Sequence, residues 1–246
     1  MRFINASRFA PFVSAAVLLT GTGAAQAGLT GNVGVTNNYI WRGFTQTNDM
    51  PAVSGGLDYS HASGIYVGTW ISNVDFSDPG ATDSDDVASL SEYEQDFYAG
   101  YAGSLGDFSY DVGYIYWAYP LTRGADFGEV YASVGYSYLT IQANYTTNSQ
   151  GEDVAGEGNV FIEDDLYYKA TLDIPVTKDV AIAATVGHYE YADSEADSYN
   201  HYNLYVNKGD FSFGLEQNDA DGEFPTGKQA DGPRFVVSWG KTFDLM

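Results

Sequence analysis

The sequence predicts an all-β fold, a single antiparallel up-and-down transmembrane β-barrel of twelve strands over residues 28–246, and three observations predict it. The first is the last stretch, residues 234–245. Phe235, Val237, Trp239, Lys241, Phe243 and Leu245 alternate with Arg234, Val236, Ser238, Gly240, Thr242 and Asp244. Side chains alternate faces along a strand, so this strand has an apolar face and a polar face. Its unpaired edge would be an aggregation hazard, and pairing with the first strand, near residues 29–42, removes it by closing the sheet. The second is the order of connectors: loops of seven or more residues alternate with turns of seven or fewer, as in bacterial outer-membrane barrels. The third is composition. Tyr (21) and Gly (28) are abundant, which suits strands and tight turns.

Residues 1–27 read as a secretory signal. Arg2 and Arg8 give a basic start, residues 9–19 a short apolar core, and Ala25-Gln26-Ala27 a small-x-small cleavage site. The apolar core is too short to span a bilayer. Cleavage after Ala27 removes two arginines and no acid, leaving 8 bases against 33 acids, a net charge of −25. No later apolar run is long enough for a membrane helix, so a membrane location requires a barrel, in which every backbone polar group finds a partner.

The remaining strands follow in order. Strand one, residues 29–42, alternates Leu29, Val33, Val35, Tyr39 and Trp41 with Thr30, Asn32, Thr36, Asn38 and Arg42. Strand two (51–59) sets Val53, Leu57 and Tyr59 against Ser54, Gly56 and Asp58. The faces of strand three (65–76) are nearly equal in polarity and stay unassigned. An acidic loop, 77–91, carries Asp78, Asp83, Asp85 and Asp86. Strand four (92–102) opposes Tyr93, Phe97, Ala99 and Tyr101 to Glu92, Glu94, Asp96 and Tyr98. Strand five (108–119) shows Phe108, Tyr110, Val112, Tyr114 and Tyr116 on one side and ends at Pro120, which lacks a ladder donor. Strand six (128–138) alternates Val130, Ala132, Val134, Tyr136 and Tyr138 with Glu129, Tyr131 and Ser133.

Strand seven (140–147) follows a tight turn. A second acidic loop, 148–163, carries Glu152, Asp153 and Glu157. Strand eight (164–172) sets Leu166, Tyr168, Ala170 and Leu172 against Asp165, Tyr167, Lys169 and Thr171. Residues 173–179 turn, with Pro175 inside. Strands nine (180–191), ten (199–207) and eleven (211–218) complete the set, the last opposing Phe211, Phe213 and Leu215 to Ser212, Gly214 and Glu216. About ten residues per strand suffices to cross a bilayer at a tilt. Lipid-facing charges cost about 2–4 kcal/mol near the midplane, and the strand acids fall opposite the apolar face. Lys241 is the exception, close enough to the chain end to reach the interface.

At this point the chain resembles a known family. Residues 38–47 (NYIWRGFTQT), Pro51-Ala52 and 55–59 (GGLDY) are similar to the opening of the TorF-type porins of proteobacteria. Residues 64–70 (GIYVGTW), 72–76 (SNVDF), 98–101 (YAGY) and 129–131 (EVY) continue the match. The resemblance implies an outer-membrane barrel of the porin type, with no catalytic residue carried over. The loop 77–91 is longer than the family leads one to expect. The closing strand also resembles the signal read by the outer-membrane assembly machinery, through Ser238, Gly240, Phe243 and Leu245, with Met246 following.

The residues weigh the function classes. With no cysteine there is no disulfide framework or thiolate metal site, and the acidity argues against nucleic acid. An enzyme is not expected: His61, His188 and His201 are the only histidines, and no nucleophile motif accompanies them, although His188 and His201 lie toward the loop ends of neighbouring strands where they could be close. His188, Glu190, Asp193, Glu195, Asp197 and His201 cluster around one loop, and Asp83, Asp85 and Asp86 around another, without the spacing of a dedicated metal site. No metal or cofactor is expected. The residues expected to line a pore are Arg42, Asp58, Glu94, Asp96, Asp111, Glu129, Asp165, Lys169, Glu216 and Arg234. Such acids favour cations. Trp117, Tyr119, Tyr167 and Tyr205 are candidates to narrow it.

These residues point to a passive outer-membrane channel for small cationic or neutral solutes, with membrane lipid, lipopolysaccharide and the assembly machinery as partners. The alternative is a closed structural or adhesive barrel whose acidic loops bind divalent cations or a partner. A soluble secreted sandwich is the third reading, and strict segregation of long and short connectors speaks against it.

Overall fold

The computed structural model describes residues 27–76, 93–122, 124–151, 161–220 and 232–246. Among them lie fourteen strands and no helix. Twelve form one closed antiparallel barrel: β1 (Gly28–Thr36), β4 (Ala52–Ser60), β5 (Ile65–Asn73), β6 (Tyr93–Leu105), β7 (Phe108–Ala118), β8 (Phe127–Tyr136), β9 (Leu139–Ser149), β10 (Leu166–Pro175), β11 (Val180–Glu190), β12 (Tyr199–Lys208), β13 (Phe211–Asn218) and β14 (Arg234–Asp244). The other two, β2 (Ile40–Trp41) and β3 (Phe44–Thr45), form a separate small hairpin.

Closure occurs where the sequence places it. β14 pairs antiparallel with β1 from Thr30↔Asp244 to Thr36↔Ser238. The chain end is fastened beyond the ladder, Leu29 N–H donating to the Met246 carbonyl at 3.2 Å and Leu245 N–H to the Leu29 carbonyl at 2.8 Å. Neighbouring strands pair all the way round, so every wall strand has a partner on both sides and no edge strand remains. The short turns, 61–64, 106–107, 137–138, 176–179 and 209–210, share one end with the chain terminus, and the longer connectors share the other.

The outer surface is a continuous apolar belt. Val53, Ile71, Phe97, Val112, Val130, Ile141, Ile182, Leu204, Phe213 and Phe235 are all exposed on it. So many large apolar side chains cannot face water around the whole circumference of a soluble protein; a hydrocarbon layer accommodates them. β5 resolves the faces that its sequence leaves open: Ile65, Val67 and Ile71 point out, while Tyr66 and Ser72 are buried. Lys241, the charged residue in the outward set of β14, reaches Asp210 at the short-turn end, Nζ to Oδ2 2.7 Å.

Inside, tyrosines lie flat across glycines of the adjacent strand. Tyr98 is paired directly with Gly68, Tyr66 with Gly100 and Tyr131 with Gly113. A Cβ at Gly68 would stand 2.3 Å from the Tyr98 ring, and one at Gly100 2.3 Å from the Tyr66 hydroxyl. These strands need glycine for close approach, since the aromatic ring occupies the space of the missing side chain.

The structure corrects strand one. The wall strand ends at Thr36, not at Arg42. Asn37 caps the break: its Nδ2 donates to the Phe235 carbonyl at 3.0 Å, and its Oδ1 accepts from Val237 N–H at 2.6 Å. The chain then turns into the lumen. Tyr39 and Trp41, expected on the lipid face, are each 5% exposed and lie within the barrel. Arg42 accordingly sits on an inner hairpin and not on the wet face of a wall strand. The other strand bounds move by at most three residues, and those of the eleventh, 211–218, do not move. The leader as far as residue 26 and the acidic stretches 77–92 and 152–160 lie outside the described residues, as do 221–231.

Candidate functional site

The inner hairpin is built by its turn. Arg42 has φ 48° and Gly43 φ 90°; two successive positive φ values are what a tight two-residue hairpin turn requires. β2 and β3 pair through Ile40↔Thr45 and Trp41↔Phe44. Glycine at position 43 is also a matter of space, because a Cβ there would lie 2.7 Å from the Cβ of His201 and 3.0 Å from that of Asn218. The Asn218 side-chain amide donates to the Gly43 carbonyl at 2.8 Å. The hairpin leaves the wall at β1, its tip lies against β13 and β12, two and three strands away, and the Arg42 side chain spans the lumen to β8.

Its side chains are fixed by wall carboxylates. Arg42 meets Glu129 on β8 fork to fork, Nη1 to Oε1 2.8 Å and Nη2 to Oε2 2.6 Å. Asn144 on β9 donates to the same Oε2 at 2.7 Å. The guanidinium lies 4.2 Å from the Trp41 ring centroid, 4.0 Å from Tyr167, 5.3 Å from Tyr189 and 5.7 Å from Trp117, within the range of cation–π attraction. Tyr39 donates its hydroxyl to Glu94 Oε1 at 2.8 Å, and Tyr119 donates to Glu94 Oε2 at 2.5 Å. The hairpin base is tied to the rim through Asp49 Oδ1, which accepts from Arg234 Nε at 2.8 Å.

The expected pore residues all lie on the inner face, on the hairpin or at the rim, but at two levels. Toward the long loops, Glu94, Asp96, Glu129 and Asp165 are each 1% exposed and Glu216 is also buried. There the hairpin and the aromatic cluster of Trp41, Phe44, Trp117, Phe127, Tyr189 and Tyr199 fill the lumen. Toward the short turns, Asp58, Asp111 and Asp173 are half-buried. Asp58 accepts from the Tyr98 hydroxyl and from Asn32 Nδ2, the latter at 3.2 Å; Asp111 accepts from the Tyr66 hydroxyl at 2.6 Å. Lys169 on β10 is the inward cation of that wall, and Glu216 accepts from the Tyr205 hydroxyl at 2.7 Å. Trp117, Tyr119, Tyr167 and Tyr205 are all buried.

Asp165 stands at the junction of the preceding loop and β10. It accepts from Ala192 N–H at 2.8 Å and from the Tyr189 hydroxyl at 3.2 Å. Burial pushes its carboxyl up to about 6, against the opposing pull of these hydrogen bonds.

The structure separates the two histidines that the sequence leaves free to meet. Gly187 lies directly opposite His201, and His188 opposite Asn200. His201 is therefore inward, its Nε2 at 2.8 Å from the Tyr167 hydroxyl. His188 packs beside Tyr168, 5.0 Å between ring centroids, and its Nδ1 lies 2.9 Å from Asn200 Oδ1. Among the described residues no three His, Asp or Glu side chains come together as metal ligands; Asp83, Asp85 and Asp86 lie outside those residues. The sequence reading missed Asp173, which it placed in a turn, and the inward roles of Tyr39 and Trp41.

Comparison with known proteins places this geometry. A KdgM porin structure superposes with a TM-score of 0.53 at 9% identity, covering 87% of this chain and 99% of the porin. A NanC porin structure superposes with a TM-score of 0.48 at 10% identity, covering 89% and 100%. The KdgM likeness establishes a shared fold, that of outer-membrane porin barrels. No curated protein matches the sequence. A family model described as "Bacterial protein of unknown function (Gcw_chp)" matches residues 20–243, nearly the whole chain, and the chain therefore belongs to the Gcw_chp family.

Proposed function

We propose that this chain is an outer-membrane channel for passive diffusion of small solutes, with a preference for cations, and that the inner hairpin restricts its lumen. The observation that carries the reading is the charge of the inner face. Asp58, Glu94, Asp96, Asp111, Glu129, Asp165, Asp173 and Glu216 face inward from the wall or its rim, against Lys169 on the wall, Arg234 at the rim and Arg42 on the hairpin. A low-dielectric wall focuses that negative field into the lumen and raises the local cation concentration. The resemblance to TorF-type porins supports the same reading. In it the leader is cleaved after Ala27, the barrel enters the outer membrane through recognition of Ser238, Gly240, Phe243 and Leu245, and lipid and lipopolysaccharide surround the apolar belt. Diffusion needs no catalytic group, and the reading includes none.

A specific observation favours a second reading. The loop half of the lumen is packed closed around the hairpin, which suits a structural or adhesive barrel whose acidic loops hold divalent cations or a partner. Proteoliposomes loaded with solutes of similar size and opposite charge discriminate the two. The channel reading expects efflux of a small amine well ahead of a small carboxylate. Absence of efflux for both, with calcium-dependent protection of the loops from protease, supports the closed barrel.

A further inference from the structure

The groups that surround the Arg42 guanidinium belong mostly to the wall. Trp117, Glu129, Asn144, Tyr167 and Tyr189 come from five successive strands, β7 to β11, and Trp41 alone comes from the hairpin. Asn144 holds Glu129 Oε2 from a second direction, so the carboxylate is aimed by the wall as well as by its partner. We propose that this wall cage is a binding site for small solutes bearing a guanidinium group, and that the hairpin occupies it with Arg42 as a tethered competitor.

The chemistry of the cage selects the class. Two parallel hydrogen bonds to one carboxylate match a planar fork and not the single point of an ammonium group. The wall's aromatic faces, Tyr167 at 4.0 Å and Tyr189 at 5.3 Å from the guanidinium carbon, attract a flat, delocalised, weakly hydrated cation. The inward acids concentrate cations at the site. The present occupant is exchangeable in kind: β2 and β3 pair through two residues each and stand outside the barrel ladder, so Arg42 reaches the cage as a side chain from outside the wall, and a solute competes with its guanidinium alone. The proposal rests on the channel reading for how a solute reaches the cage, but binding itself does not require conduction.

The test uses the full-length chain folded in detergent micelles, titrated with agmatine and, separately, with 1,4-diaminobutane, which carries the same charge on the same chain but offers an ammonium group in place of the fork. Heat of binding and tryptophan fluorescence report occupancy, since Trp41 and Trp117 adjoin the cage. In Arg42→Ala, agmatine is expected to bind roughly tenfold tighter than 1,4-diaminobutane, the scale of one additional charge-assisted hydrogen bond. The Arg42→Ala/Glu129→Gln double variant loses that preference, and the wild type binds agmatine roughly tenfold more weakly than Arg42→Ala because its cage is filled. Equal binding of the two amines, or agmatine binding indifferent to Glu129→Gln, overturns the proposal. Should Arg42→Ala not fold unaided, its refolding yield with each amine reads the same selectivity: recovery with agmatine alone supports the cage, and recovery with both or neither overturns it. A wild-type chain that never conducts would remove the channel reading and leave this result standing.

Discussion

Arg42 and Glu129, separated by 87 positions in the chain, meet across the lumen as a buried bidentate pair with both hydrogen bonds at 2.8 Å or less. One residue belongs to a hairpin outside the ladder and the other to the wall. The pair therefore fastens an element outside the barrel ladder to the wall. Breaking such a pair from one side leaves an uncompensated charge in a water-poor interior.

Glu129→Ala is expected to destabilise the barrel by about 3–5 kcal/mol, the usual cost of stranding one member of a buried pair. Arg42→Ala/Glu129→Ala is expected to cost less than the sum of the single changes, because neither charge is then left alone. Urea unfolding in lipid vesicles, analysed as a double-mutant cycle, measures the coupling.

Gly68→Ala places a methyl group against the Tyr98 ring and is expected to cost about 1–3 kcal/mol, the range for overpacking. In a Tyr98→Ala background that cost should vanish, since the ring it collides with is gone. Equal costs in both backgrounds would show that the glycine serves some purpose other than receiving the ring.

The apolar belt makes a depth-dependent prediction. Leu204, midway along β12 and exposed, should tolerate Arg poorly, at about 2–4 kcal/mol, while Phe211 at the short-turn end of β13 should lose only about 0–1 kcal/mol. Equilibrium unfolding of the two variants in vesicles compares them directly. Similar losses would mean that the belt does not sit in lipid as described.

Asp165 gives a pH dependence with a defined sign. Its folded carboxyl titrates near 6, above the value of about 3.9 for an unfolded aspartate. Between those values the folded state binds more protons, so stability falls as pH rises through the window and levels off above it. Asp165→Asn, which keeps an acceptor for Ala192 N–H, should flatten that segment of the stability–pH curve. An unchanged slope between pH 4 and 6 would place the titration elsewhere.

Most of the barrel was legible in the sequence because lipid outside and a polar lumen inside impose alternation on every strand. Val130, Val134 and Tyr136 against Glu129, Tyr131 and Ser133 show the division without ambiguity, and the alternating connector lengths give the direction of travel. The hairpin was not legible for a related reason. Tyr39 and Trp41 continue the period of Val33 and Val35, and an aromatic residue is equally at home in an interfacial belt or in a packed lumen. The signal that could have marked the turn was local: Asn37-Asn38 at the break, and Arg42-Gly43 between Trp41 and Phe44, a charge and a glycine amid aromatics. Asp173 was hidden by Pro175, which suggests a turn even though β10 runs on to that proline. The faces of His188 and His201 depend on the register across the loop between β11 and β12, which composition does not specify.

The most direct measurement is a planar-bilayer recording of the folded chain under a potassium chloride gradient, with wild type and Arg42→Ala side by side. The account predicts small conductance steps in wild type, larger ones once the hairpin is unfastened, and a reversal potential on the cation side for both. An anion-side reversal potential, or identical silence from both proteins, would contradict it.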